Sequence, residues 1–267
     1  MSNKCFNINK QNIIYRLMLK KYISIIIKSL KFFVKKVFYR FGWKIEKIYV
    51  QKEANTTSPK LIELEILAKC DGILHLGAHR GGEAPIYDWF GKKVIWVEAN
   101  PKIYFDLKIN IEKYINQKSF CYLITDKTGK NYDFNISNND AASSSIYEFG
   151  ELSVGNKNLW PNKKPLKFLN KINLNSITID DLIEKNDIDI KLYDHWVMDL
   201  QGAELLALKG AKKSLISCKS ISIEVSDGEV YKEGPNYMEI INFLDTNNFK
   251  PTSKIDSKHT NLLFIRK

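Results

Sequence analysis

Cysteine is scarce in this chain and badly spaced for bonding. The 267 residues hold four, Cys5, Cys70, Cys121 and Cys218, far apart and with no CxxC pair. That excludes a zinc ribbon and a disulfide framework, and it fits reduced, mostly buried thiols of a cytosolic protein. Long apolar runs are missing near the start, where lysines interrupt each one. A signal peptide needs such a run, and an ordinary transmembrane helix needs about 20 mostly apolar residues. Acids are nearly absent from residues 1–50, which hold Glu46 against twelve Lys or Arg. The remaining 217 residues carry 29 bases and 29 acids, so the first 50 residues hold the whole excess of +11. A neutral body argues against a nucleic-acid grip spread over it and points to an arm with its own partner.

What is present is the balance of a globular protein: 44% hydrophobic and 27% charged residues. The length suits one α/β domain with an extra arm. Within residues 11–41, Leu19, Tyr22, Ile23, Ile26, Leu30, Phe33, Val37 and Phe41 recur at helical spacing. Lys20, Lys28, Lys31 and Lys35 form an opposing basic face, and Gly42 marks a stop. Such a helix suits the headgroup region of an anionic membrane on its cytoplasmic side. Packing on the body or in an oligomer contact is the competing reading. Residues 51–59 read as a linker, so the expected division is an arm over 1–50, a linker, and a domain over 60–267.

From residue 60 on, helices alternate with short apolar runs. Strands are expected at 73–76, 94–97, 120–124, 196–198, 221–225 and 262–266. Helices are expected at 60–69, 83–90, 101–115, from a capping box at Thr178–Asp181, at 202–216 and at 237–247. Continuous rather than alternating apolar strands predict a mostly parallel sheet covered by helices on both faces. Ligands should then sit at the carboxyl ends of the strands.

Four places there carry chemistry. Leu76-Gly77-Ala78-His79-Arg80-Gly81 is a glycine turn between strand and helix, where Gly77 would let a ligand approach the backbone. It matches neither the dinucleotide fingerprint nor the phosphate loop. Glu98 ends the second strand, 21 residues after Gly77, where a carboxylate can accept both hydroxyls of a ribose. Asp199 ends the strand at 196–198 and is followed by Gln201, Gly202 and Glu204, the last in a helix's first turn. Glu224 is an acid flanked by Ile223 and Val225, costly if unpaired. The stretch over 137–165 has little periodicity and reads as an acceptor-binding lid, with Ser143, Ser144 and Ser145 offering hydroxyls to a polyol.

These segments resemble the FkbM-type S-adenosylmethionine-dependent methyltransferases. The matching stretches are HLGAHRGGEA at 75–84, WVEANP at 96–101, SSSIYEFG at 143–150, SITIDDLI at 176–183, VMDLQGAELLALKGA at 197–211 and SIEVSDGEVYKEG at 222–234. The resemblance implies a Rossmann-like sheet, S-adenosyl-L-methionine as cofactor, and O-methylation of a sugar or glycan hydroxyl. It places His75, Gly77, Ala78, His79 and Gly81 at the cofactor's methionine end, Glu98 and Ala99 at the ribose, and Asp126 near the adenine. Asp199 and Glu224 would face the transfer site, with Gln201 and Glu204 toward the acceptor. His75 stands where many class I enzymes have an acid, and Gln201 where this family often has Glu. Asp199 is the first candidate for general base, Glu224 the second, and His79 a substitute. A divalent cation between Asp199 and Glu224 is the alternative way to activate the hydroxyl. The competing functions are an RNA 2′-O-methyltransferase and a non-catalytic membrane-surface scaffold.

Overall fold

The computed structural model describes residues 59–151, 165–226, 230–253 and 259–267. The arm over 11–41, residues 51–58 of the expected linker and residues 152–164 of the expected lid lie outside the described residues. Those described belong to the unit Thr57–Lys267.

The elements are α1 (Pro59–Lys69), β1 (Gly72–Leu76), α2 (Ala84–Trp89), β2 (Lys93–Glu98), α3 (Pro101–Ile111), β3 (Gln117–Cys121), β4 (Leu123–Ile124), β5 (Asn131–Ser137) and β6 (Phe168–Ile177). Then come α4 (Ile179–Lys185), a 3-10 turn (Ile190–Leu192), β7 (His195–Met198), α5 (Glu204–Lys209), a second 3-10 turn (Ser214–Ser217), β8 (Ser220–Ser226), α6 (Tyr237–Thr246), β9 (Phe249–Pro251) and β10 (His259–Arg266). Seven strands form one sheet in the order β3-β2-β1-β7-β8-β10-β9. The pairs from β3 to β8 are parallel, and β10 runs against both β8 and β9. Strand order reverses between β1 and β7, the place where open α/β sheets bind ligands.

Burial explains the apolar runs. All five residues of β1 are buried, because helices cover both faces of the sheet. Leu74 and Leu76 pack into one core with Trp196, Leu208, Ile240 and Phe264. Ile73 packs into the other, with Trp96, Tyr87 of α2 and Leu107 of α3. The helices start where local chemistry dictates. Asn100 accepts from the Lys102 N–H ahead of α3, beside Pro101 at its first turn. Asn236 and Glu239 form a reciprocal capping box at α6.

Four expectations change. The Thr178 side chain caps α4 through the Asp181 N–H, but the Asp181 carboxylate accepts from the Thr128 hydroxyl instead of closing a box. The strand expected over 120–124 breaks at Tyr122: β3 stays in the large sheet, and β4 pairs with β6. The helix expected over 202–216 ends at Lys209, where the Gly210 carbonyl turns to accept from the Asp180 N–H. Two strands that the sequence does not mark, β5 and β6, flank the aperiodic stretch and form a three-stranded sheet with β4.

Candidate functional site

Parallel register brings the candidate residues abreast. Leu76 pairs with Val97 on one side and Met198 on the other, so Gly77, Glu98 and Asp199 follow side by side at the carboxyl edge. They line a cavity of about 200 Å³, whereas a second cavity beyond Gly202 measures about 20 Å³, room for little more than a water. A ligand of any size belongs in the first.

His79, Ala99, Ser144 and Gln201 also line the large cavity. Among its other walls are Tyr122, Leu123, Phe134, Ala141 and Ala142, which the sequence does not single out because apolar residues carry no chemical signal. His75, Ala78, Gly81, Asp126, Ser143, Ser145, Glu204 and Glu224 are not among the lining residues.

Each displacement has a cause. Alternation along β1 turns His75 onto the face of α2 and α3, where it stacks on Trp96 at 4.7 Å and its Nδ1 meets the Tyr87 hydroxyl at 3.2 Å. Burial, with His195 nearby, pulls its pKa down to about 3 and keeps it neutral. Ala78 is buried in the same core, and Gly81 packs against Leu107 and Ile111. Asp126 is half-buried beyond the wall that Tyr122, Leu123 and Ile124 supply. The serine hydroxyls bond to other parts of the chain. Ser143 accepts from Asn139, Ser144 donates to the Ala141 carbonyl, and Ser145 donates to the Gln201 carbonyl at 2.7 Å. Gly77 lines the cavity and is also crowded from behind by the backbone of Asp199.

Glu98 is buried and held at both oxygens. Oε2 accepts from the His79 N–H and Oε1 from the Asn100 N–H, each at 2.8 Å. Burial raises its pKa, and these two N–H groups act against the rise. His79 also reaches across the cavity's edge, where its Nε2 donates to the Asp140 carbonyl at 2.9 Å. That nitrogen holds the loop and is not free to take a proton. Arg80 clamps the same loop, bonding the Asp140 carboxylate through both terminal nitrogens and Asp106 through Nε at 2.9 Å.

Three carboxylates cluster at the edge beyond Gly77. Asp199, Glu204 and Glu224 each bring an oxygen within 4.8 Å of the others. Asp199 opens onto the cavity, yet protein packs closely around it. Lost solvation and then the charge of Glu224 raise its pKa well above the carboxylate range, against a bond from Gln201. Glu204 is buried and turns back on its own helix start, accepting from the Leu200 N–H at 2.7 Å and the Gly202 N–H at 3.0 Å. Burial and Glu224 push its pKa up to about 7. Glu224 lies behind Gln201, lining the small cavity and bonded to His259 Nε2 at 2.9 Å. The Gln201 amide nitrogen donates to Asp199 Oδ1 and, at 3.1 Å, to Glu224 Oε2. The protein's own donors thus take up much of the set that the cation alternative would need. Asp199 remains the acid best placed to take a proton from something in the cavity.

Solved structures similar to this chain include a SAM-dependent methyltransferase from Aquifex aeolicus, with 11% identity and a TM-score of 0.42 over 78% of this chain and 89% of that one. An rRNA methylase from Streptococcus thermophilus shows 12% identity and a TM-score of 0.41 over 80% and 99%. Magnesium protoporphyrin IX methyltransferase from Synechocystis PCC 6803, with bound SAM, shows 9% and 0.38 over 80% and 87%. Likenesses this weak carry no argument about chemistry. Comparison with curated proteins finds no match. The model of the methyltransferase FkbM domain matches residues 75–251, a span that contains Gly77, Glu98, Asp199, Gln201 and Glu224. With about two-thirds of its length matched, the chain belongs to the FkbM methyltransferase family.

Proposed function

We propose that this S-adenosylmethionine-dependent methyltransferase methylates a hydroxyl of a neutral sugar or glycan, with Asp199 as the proton acceptor. The observation that carries the reading is Asp199 itself, a carboxylate of raised pKa opening onto the large cavity at the sheet's switch point. A base whose pKa moves toward neutrality is better matched to a hydroxyl proton than an ordinary carboxylate.

The cavity has the acceptors and walls that the cofactor needs. Each Glu98 oxygen spends one lone pair on a backbone N–H and keeps another for a ribose hydroxyl. Val97, Leu123, Ile124 and Phe134 give apolar walls suited to a flat base. When bound, S-adenosylmethionine supplies a methyl group already activated by its sulfonium charge. What remains for the chain is alignment and proton removal. Ala141 and Ala142, held over the cavity through the Arg80–Asp140 pair, would limit water. Asp199 would take the proton, and the acidic cluster, which has no lysine or arginine beside it in the cavity lining, favours the cationic cofactor.

The same cluster disfavours a phosphate-rich acceptor. Among the described residues lining the cavity there is no lysine or arginine, which an RNA track needs. No helix among the described residues is long and apolar enough to cross a membrane. The basic face over 11–41 supports attachment to an anionic, cytoplasmic membrane surface, and a lipid-linked saccharide is the acceptor that fits such a place.

The test is transfer of labelled methyl from S-adenosylmethionine to lipid-linked saccharides, soluble glycosides and RNA transcripts, side by side. Label should enter a saccharide and fall at least about a hundredfold in Asp199→Asn, the usual size of a general-base effect. Label in RNA alone would overturn the sugar reading.

A further inference from the structure

We infer that Gln201 is a positioning residue for methyl transfer: its amide nitrogen bridges Asp199 and Glu224 in the place a cation would take. The inference rests on the reading of Asp199 as proton acceptor.

Two carboxylates this close need something positive between them. A proton, a cation or a hydrogen-bond donor can serve, and each leaves a different base behind. Here the Gln201 Nε2 donates to both acids, so an amide with two N–H groups does the joining. Its Oε1 accepts from the Tyr231 hydroxyl at 2.5 Å, which fixes the orientation of the amide. Its own carbonyl accepts from Ser145 of the lid. The backbone sits in the left-handed region at φ +51. Gln201 is therefore held through both its main chain and its side chain.

Chemistry selects this residue type. A Glu in the same shape would accept from Tyr231 but would have no hydrogen to give the two acids. A Leu would fill the space and do neither. With the amide in place, Asp199 Oδ1 is occupied, and Oδ2 has no hydrogen-bond partner among the described residues. The proton from an acceptor would go there. Other titratable groups face the pair and stay in both cases: Glu204 from α5, Glu83 from the turn before α2, and His259 from β10, bonded to Glu224.

The experiment is side-chain carboxyl NMR on the full chain labelled at Asp and Glu, titrated with pH, in wild type, Gln201→Glu and Gln201→Leu. Each sample is also titrated calorimetrically with MnCl2 and with S-adenosylmethionine. Losing the donor should raise the Asp199 midpoint by about one pH unit or more in both variants. Wild type should take up no Mn2+, while Gln201→Glu gains a Mn2+ site. Two results would overturn the inference. One is an Asp199 midpoint unchanged in folded variants. The other is Mn2+ binding by wild type that Asp199→Asn abolishes, since a cation would then be the bridge. None of these readouts needs an acceptor, so failure of S-adenosylmethionine binding in wild type would count against the proposed function alone.

Discussion

Gly77 ties stability to the site, and a matched pair of glycines isolates how. Gly77 and Gly129 have nearly the same φ, +81 and +79, so an alanine at either suffers a conformational cost of about 1 kcal/mol. Around Gly129 an added Cβ meets nothing within 4 Å. At Gly77 it lands 1.8 Å from the Asp199 carbonyl oxygen and 2.7 Å from the carbonyl carbon. Opening that contact even to 3.0 Å takes a shift of about 1.2 Å in backbone that cannot swing aside. The Asp199 N–H bonds the Leu76 carbonyl at 3.0 Å, and Leu76 pairs with Met198, so the shift spreads into β1 and β7. Overpacking of this kind adds about 1–3 kcal/mol, for a total of about 2–4 in Gly77→Ala against about 1 in Gly129→Ala. For a domain of this size the gap is roughly 3–9 °C in melting temperature. Circular dichroism melts of both variants measure it, and calorimetry on the folded fraction should show weaker cofactor binding in Gly77→Ala. Equal melting temperatures would refute the claim that this turn is crowded by the backbone at the end of β7.

The remaining predictions are as follows. Glu98→Ala should weaken S-adenosylmethionine binding at least about tenfold, the loss of one charge-assisted pair of bonds; unchanged affinity by calorimetry would sink the ribose assignment. Glu204 has its pKa raised from 4.5 to about 7, so the folded state holds the proton more tightly than the unfolded chain. Its favourable contribution is complete below about pH 4.5 and is lost as pH rises through about 7. Wild type should therefore lose up to about 3 kcal/mol relative to Glu204→Gln between pH 4.5 and 8, measured by urea unfolding; a constant difference across that window would show the acid to be no liability. Removing residues 1–50 should abolish sedimentation with anionic liposomes and leave cofactor binding intact, and a truncated chain that unfolds would make the arm part of the core.

The strand–turn–helix units and the row of Gly77, Glu98 and Asp199 are legible because they are local. A strand buried on both faces is a short apolar run, and the residue that follows it stands at the ligand edge whatever the rest of the chain does. The hairpin of β5 and β6 was not legible in the same way. Its strands, NYDFNIS and FLNKINLNSI, are rich in Asn, and β6 is largely exposed, so no apolar run marks them. The break at Tyr122 is invisible too, since Leu123 and Ile124 are as apolar as the strand they leave.

Residue type and order alone therefore determined the fold class, the cofactor edge and the acids placed there. Tertiary structure decided which of those groups are free to act. It turned His75 into the core, engaged the Ser143, Ser144 and Ser145 hydroxyls with the chain itself, and set Glu224 behind Gln201. It also joined Gln201 to Glu224 and Tyr231, 23 and 30 residues away in the chain. A backbone run follows from its neighbours, but a polar side chain commits to whichever partner the finished fold brings within about 3 Å.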